Sequence, residues 1–375
     1  MMKQFQIRPV IQCYASFAEF AEQTSFAAED CIFTVRYLYE KWIQPLMAPS
    51  SILLFEDYGS GEPTDEMIDR ILADFGKLHC QRVIAIGGGS VLDIAKFLEQ
   101  KSTTGTALDW FEGKAQPVKD KELVLVPTTC GTGSEMTCIS IAGIPSKGTK
   151  KGLAAEPLFA DKAALIPELL YGLPKAVLVS SSLDALAHAM ESFVAPRAHA
   201  YSELFSMEAI RLLLKSYKTL LANDSDSVVQ DVAEDLLTAS NYAGIAFGNV
   251  GVGAVHALAY PLGEKYHVFH GEACARFFGA VFQVYLSKKP DGKTQALTRQ
   301  LMQVLDCSEG QDPWAAMADL LNQLLPTKPL REYGMTVADI ESFADSVVRE
   351  QQRLLVNNYV ELSRDEIRDI FKKLW

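Results

Sequence analysis

Asp184 and His188 stand four residues apart in the apolar run SSLDALAHAM, residues 181–190. On a helix, positions i and i+4 share a face, so the carboxylate and the imidazole point the same way. Burying them unpaired is costly. Either they bond each other and nearby backbone, or they grip a metal ion. A second stretch, GVGAVHALAYPLGEKYHVFHGEACA (251–275), holds three of the chain's six histidines. His256 lies in an apolar helical run that Pro261 and Gly263 are expected to break, and His267 and His270 follow three apart on the next segment. Imidazoles combined with an aspartate form a mixed nitrogen–oxygen set suited to a divalent first-row metal. A lone buried histidine is more often a satisfied core residue. Half the histidines in one short stretch, beside an Asp–His helix face, point instead to a metal centre. His79 and His199 fall outside both groups and read as surface or packing residues.

Two other stretches carry phosphate-binding chemistry. RVIAIGGGSVLDIAK (82–96) runs from a strand pattern through glycines into a helix. Gly87, Gly88 and Gly89 let the backbone approach a ligand closely. Ser90 can cap the helix, whose first amides are free for a phosphate oxygen. Asp93 and Lys96 lie three apart on that helix. This is not the GxGxxG fingerprint, and no acidic residue stands at the usual later position to hold a ribose. VPTTCGTGSEMT (126–137) offers the hydroxyls of Thr128, Thr129, Thr132 and Ser134, with Gly131 and Gly133 between them. Either stretch alone is also what a polar turn looks like. Two of them after parallel strands both open on the carboxyl edge of a sheet, which points to a dinucleotide.

The elements that must position these residues fall into two rhythms. In the first half, DCIFTV, SSILLFED, RVIAIGG and ELVLVPTT read as strands. DEMIDRILADFGKLH and SVLDIAKFLEQ between them show helical spacing. Strand and helix in alternation imply a Rossmann-like parallel sheet, hence an α/β domain over residues 1–170. Beyond about residue 170 the strand pattern vanishes. The long helical runs at 176–195, 201–222, 228–248, 313–325 and 337–355 predict an all-helical domain over 171–375. IPELLYGLP (166–174), with two prolines, is the expected hinge.

Length also favours two domains. A hydrophobic share of 49% and a charged share of 22% are those of a globular chain. The net charge of −12 argues against a nucleic-acid partner. No run is apolar enough for a membrane span, and the N-terminus lacks a signal-peptide core. Seven cysteines without CxxC spacing read as reduced thiols, which predicts a cytoplasmic protein.

GGGSVLDIAK, PTTCGTGSE, DALAHAMESF, VHALAYPLG and FHGEA, in that order, resemble the iron-containing (group III) alcohol dehydrogenases. NYAGIAFGNVGVGAVHALAYPLG, KPLREYGM and QQRLLVNNY are similar to that family's clostridial-type 4-hydroxybutyrate dehydrogenases, which interconvert 4-hydroxybutyrate and succinate semialdehyde with a nicotinamide cofactor. The resemblance implies a dehydroquinate synthase-like fold, shared with glycerol dehydrogenase, and metal ligation by Asp184, His188, His256 and His270. It implies that Gly88, Gly89 and Ser90 bind the pyrophosphate, and that Thr128, Thr129 and Thr132 lie beside the nicotinamide. Lys151 matches a lysine that contacts the cofactor's ribose and phosphate region. Fe2+ is the implied metal, with Zn2+ the alternative. NAD is the implied cofactor, and a homodimer the implied assembly.

Three positions depart from the family pattern. Tyr260 stands where many relatives carry a second histidine, so proton relay is expected through Tyr260 or His267. Val35-Arg36 stands where relatives have an aspartate that repels the extra phosphate of NADP, which leaves NADP open. Ile166-Pro167 replaces an aspartate–proline pair, with no function attached. A hydroxy-acid substrate also needs a cation for its carboxylate, and Lys265, His267, Arg276 and Arg353 are the candidates. The competing expectations are a broad primary-alcohol or diol dehydrogenase and a dehydroquinate synthase-type lyase. The Asp–His helix pair argues against the lyase, because such relatives typically ligate through a glutamate. A non-catalytic chain that merely keeps the fold predicts decayed ligands, and all four are present.

Overall fold

The computed structural model describes residues 4–100, 105–147, 149–223, 225 and 227–375. The chain divides into two compact units, Ile7–Gly172 and Leu173–Trp375, and the described residues before Ile7 belong to the second. Among the described residues, no single helix is long and apolar enough to cross a membrane.

The Ile7–Gly172 unit is built on six parallel strands: β1 (Val10–Cys13), β2 (Asp30–Thr34), β3 (Ser51–Leu54), β4 (Arg82–Gly87), β5 (Glu122–Pro127) and β8 (Lys162–Leu165). Their order is β1-β8-β5-β4-β2-β3. The central strands are near-continuous apolar runs because both of their faces are covered. The unit's helices are α1 (Phe17–Thr24), α2 (Arg36–Leu38), α3 (Asp65–Phe75), α4 (Gly89–Leu98) and α5 (Ala107–Phe111). Phe97 of α4, stacked on Trp110 at 5.2 Å, belongs to one buried cluster; Phe17 and Phe20 of α1 belong to another. A two-stranded antiparallel hairpin, β6 (Ile139–Ile144) and β7 (Thr149–Ala154), was not legible in the sequence. ISIAGI and TKKGLA mix glycine, lysine and small residues, and only the cross-strand pairing makes them strands.

Register decides where the glycine turn and the threonine loop lie. Gly87 at the end of β4 pairs with Pro127 at the end of β5, so the two turns leave the sheet side by side. Lys96 of α4, wholly buried, holds them in place. Its ammonium donates to Ser134 Oγ at 2.7 Å and Thr137 Oγ1 at 3.2 Å, and lies 3.4 Å from Asp93 Oδ1. Asp93 Oδ2 in turn accepts the Ile141 amide at 2.9 Å. Asp93 and Lys96, three apart in sequence, thereby tie α4 to the segment that follows the threonine loop.

The Leu173–Trp375 unit is helical. Its elements are α6 (Lys175–Val194), α7 (Ala200–Ala222), α8 (Val228–Val250), α9 (Ala254–Tyr266) and α10 (His270–Lys288), then α11 (Lys293–Val304), α12 (Pro313–Leu324), α13 (Val337–Glu350), α14 (Gln352–Leu355) and α15 (Arg364–Leu374). Two local expectations are corrected. The His256 helix is not broken at Pro261 or Gly263 but continues to Tyr266. Proline's fixed φ is compatible with a helix, although Pro261 forfeits the bond to the Ala257 carbonyl and crowds that oxygen. The run at 337–355 is not one helix: it breaks at Gln351, where φ −105° and ψ 25° leave the helical region. Helices α8 and α9 meet at a bend of 105°. Gly251 at φ 85° makes that turn, a conformation that costs glycine little.

Candidate metal centre and cofactor loops

Three histidines and one aspartate come from α6, α9 and α10, which pack on one another. Asp184 sits on α6 at 3% exposure, and its carboxylate is the common partner of the group. His256 Nε2 lies 3.4 Å from Asp184 Oδ1, His270 Nε2 lies 3.6 Å from the same oxygen, and His188 Nδ1 lies 3.9 Å from Oδ2. The His188 ring stacks between Phe247 at 4.2 Å and His256 at 4.5 Å. His270 opens α10. It reaches Asp184 because Gly271 lets the backbones of α6 and α10 touch: a β-carbon at 271 would stand 1.8 Å from the Ser180 carbonyl oxygen.

Both Asp184 Oδ1 and His256 Nε2 are buried without a hydrogen-bond partner, although they face each other. Donors held about 2.1 Å from one tetrahedral ion stand roughly 3.4 Å apart, which is the spacing seen between these atoms. Among the described residues, every ion pair of Asp184 and of buried Glu191 is to a histidine. Two buried carboxylates surrounded by imidazoles require a positive charge. Burial acts to strip the charge from His256, but Asp184 and Glu191 outweigh it and lift the imidazole to about 9. Burial likewise acts to raise the Asp184 pKa, and the neighbouring histidines outweigh it and hold the carboxyl below its usual range. The donor set therefore fits a divalent cation.

Two members of this group escaped the sequence reading. Glu191 Oε2 meets His256 Nδ1 at 2.5 Å, and Glu191 Oε1 accepts the Val255 amide at 2.6 Å. The carboxylate thus orients the imidazole from behind and fixes which ring nitrogen faces the donors. Its position, seven after Asp184 on one helix face, was the available clue. The other is Cys274, one turn after His270, with Sγ 3.8 Å from His270 Nε2. Asp184, His256, His270 and Cys274 form a compact group whose donor atoms all lie within 4.8 Å of one another, and His188 borders it. Burial and the adjacent Asp184 push the Cys274 thiol up. Glu191→Gln, which keeps the shape and removes the charge, is expected to lower metal affinity about 10- to 100-fold in chelator competition. Unaltered affinity would mean that packing alone fixes the His256 ring.

Tyr260 follows His256 by one turn and its ring lies 5.7 Å from that of His270, so the structure brings it to the group. It does not bring His267 there. That residue closes α9 in the left-handed conformation, φ 53°, with its side chain exposed.

In the other unit, Gly88 caps α4 in an extended conformation, and Gly89 and Ser90 form its first turn. A β-carbon at 89 would stand 2.6 Å from Thr132 Cγ2, so glycine there lets the two loops close on each other. Thr128 donates its amide to the Gly87 carbonyl at 3.0 Å, and Thr129 packs against Gly88. Lys151 lies on β7, 4.0 Å from Glu112, and no hydrogen bond among the described residues ties it to either loop. At the carboxyl end of β2, next to β4, the Glu56 carboxylate accepts the Arg36 amide with both oxygens at 3.0 Å. Arg36 itself is paired with Asp57 at 2.6 Å.

A family profile described as iron-containing alcohol dehydrogenase matches residues 18–167, and one described as the Fe-containing alcohol dehydrogenase family, C-terminal, matches residues 178–375. The chain is 46% identical over 374 residues to the 4-hydroxybutyrate dehydrogenase of Clostridium kluyveri, covering 100% of both chains. It is 32% identical to the sulfoacetaldehyde reductase of Bilophila wadsworthia, over 82% of this chain and 80% of that one. Sulfoacetaldehyde reductase from Bifidobacterium kashiwanohense, solved in complex with NAD+, shares the fold. It superposes with a TM-score of 0.85 at 23% identity, over 100% of this chain and 99% of that one. With the two profiles in sequence along the chain and a relative matched from end to end, the chain belongs to the iron-containing alcohol dehydrogenase family.

Proposed function

We propose that the chain interconverts 4-hydroxybutyrate and succinate semialdehyde by hydride exchange with NAD, using Fe2+ held by Asp184, His188, His256 and His270. Zn2+ would satisfy the same donors. The observation that carries this reading is the convergence of Asp184 Oδ1, His256 Nε2 and His270 Nε2 at 3.4 and 3.6 Å, in a chain matched end to end by a dehydrogenase of that substrate. When bound, the cation supplies polarisation of an alcohol or aldehyde oxygen, and the nicotinamide supplies the hydride chemistry.

The chain's own residues supply charge, orientation and proton handling. Asp184 balances positive charge in the buried group, and Glu191 holds the His256 ring so that Nε2 faces inward. Tyr260, whose phenol burial keeps neutral, offers a hydroxyl to exchange a proton with the substrate oxygen. Exposed His267 is assigned no part in that step. Gly88, Gly89 and Ser90 present helix amides to the pyrophosphate, and Thr128, Thr129 and Thr132 line the adjoining loop. Glu56 and Asp57 place two carboxylates at the end of the strand beside β4, where an acid favours a ribose hydroxyl over the extra phosphate of NADP. A homodimer fits the exposed Val10 and Ile11 on the edge strand β1. The seven cysteines, none of them in a disulfide among the described residues, suit a reducing cytoplasm.

The test is a substrate panel on metal-reconstituted enzyme, with NAD and NADP, following NADH or NADPH absorbance. We expect kcat/KM for succinate semialdehyde to exceed that for butanal by about 10- to 100-fold, the worth of one charge-assisted contact. NAD should outperform NADP. Equal rates on the acid and the neutral aldehyde would support the broad alcohol dehydrogenase instead.

A further inference from the structure

We infer that Arg353 binds the substrate carboxylate and thereby sets the preference for a hydroxy acid over an uncharged alcohol; this rests on the reaction proposed above. Four cations were candidates in the sequence, and their surroundings separate them. Lys265 is ion-paired with Asp339, whose second carboxylate oxygen accepts the Tyr266 hydroxyl at 2.6 Å. Arg276 is buried, and its two terminal nitrogens donate to the carbonyls of Pro326 and Leu325 at 3.4 Å each. His267 is exposed at the end of α9 and makes no ring contact with the donor group among the described residues. Each of the three is thus committed elsewhere or faces away from the chemistry.

Arg353 is different. It is exposed rather than buried, and its Nη2 donates to the phenol oxygen of Tyr260 at 3.4 Å. The Tyr260 ring lies 5.7 Å from the ring of His270, whose Nε2 is 3.6 Å from Asp184 Oδ1. The guanidinium therefore stands one aromatic ring away from the donor group. A four-carbon hydroxy acid spans about 5 Å from its hydroxyl oxygen to its carboxylate carbon, so its two ends need separate partners. The guanidinium fork matches a carboxylate's two oxygens, and exposure leaves it open to an anion arriving from solvent.

The backbone that carries Arg353 is also fixed relative to the histidines. Asn357 ties it down: its Nδ2 donates to the Val252 carbonyl at 3.1 Å and to the Arg353 carbonyl at 3.3 Å. Asn358 Oδ1 accepts the Tyr285 hydroxyl at 3.1 Å. The first bond ties the 351–358 segment to the Gly251–Gly253 turn from which the His256 helix starts, and the Tyr285 bond ties it to α10. A cation so placed is held at a set distance from His256 and its neighbours, which is what selection of one chain length requires.

The test compares wild type with Arg353→Met and Arg353→Lys in the metal-loaded enzyme, with succinate semialdehyde and butanal as substrates. Butyrate, which lacks the reacting oxygen, serves as a binding probe through its competitive inhibition constant. In Arg353→Met the kcat/KM ratio of acid to neutral aldehyde is expected to fall about 10- to 100-fold, mainly through KM for the acid. Butyrate inhibition should weaken by a similar factor, and Arg353→Lys should recover part of both. An acid preference and a butyrate inhibition that survive in Arg353→Met would overturn the assignment, as would equal losses on both aldehydes. A wild type without acid preference would overturn the proposed reaction itself, and the role of Arg353 with it.

Discussion

Asp184→Asn is expected to fold, to retain no divalent cation through gel filtration, and to turn over at least about a thousandfold more slowly than wild type. Asparagine keeps the size and one oxygen, so packing around α6 is preserved. It removes the negative charge that faces three imidazoles at 3.4 to 3.9 Å. No other carboxylate among the described residues touches all three, since Glu191 lies behind His256. A loss of several kcal/mol of electrostatic stabilisation corresponds to about a thousandfold or more in rate. Two measurements separate a metal effect from general damage. Elemental analysis gives the bound equivalents. Thermal unfolding with and without added Fe2+ or Zn2+ should show a metal-dependent rise in Tm for wild type and none for the variant, because only a ligand that binds the native state raises its stability. Full metal occupancy in Asp184→Asn would place the metal centre elsewhere.

Gly271→Ala should be nearly as severe, although the glycine carries no chemistry. The added methyl group would meet the Ser180 carbonyl oxygen at 1.8 Å and its carbon at 2.8 Å, both backbone atoms that no rotamer change can move aside. It would also stand 3.2 Å from Asp184 Cβ. Helices α6 and α10 must separate, and with them Asp184 and His270. Overpacking of this kind costs about 1–3 kcal/mol when side chains can give way, and more when backbone must. We expect about 3 kcal/mol or more in urea unfolding, together with at least a tenfold loss of metal affinity. Gly279→Ala on the same helix is the control. Nothing lies within 4 Å of its added carbon, so it should be neutral or raise stability by about 0.5–1 kcal/mol through helix propensity. If both variants behave alike, the close approach of α6 and α10 is not what holds the donor group together.

Most elements and several of their faces follow from local pattern. CIFT, VIAIG and LVLVP are apolar on both sides because parallel strands bury both faces, so the sheet of the first unit could be read from composition alone. Asp184 and His188 could be paired because a helix of known pitch fixes which residues share a face. The glycine turn and the threonine loop were readable as turns after strands for the same local reason. Which faces meet depends instead on how the elements pack. The Glu191–His256 bond joins residues 65 apart, and Arg353 reaches Tyr260 across 93 residues. The 1.8 Å demand at Gly271 exists only once α10 lies on α6. Periodicity records how a segment turns but carries no record of its neighbour, because packing energy depends on the shapes of two surfaces together. That His267 is exposed, that Arg276 is buried and that Arg353 meets Tyr260 could therefore be seen only once the helices were assembled.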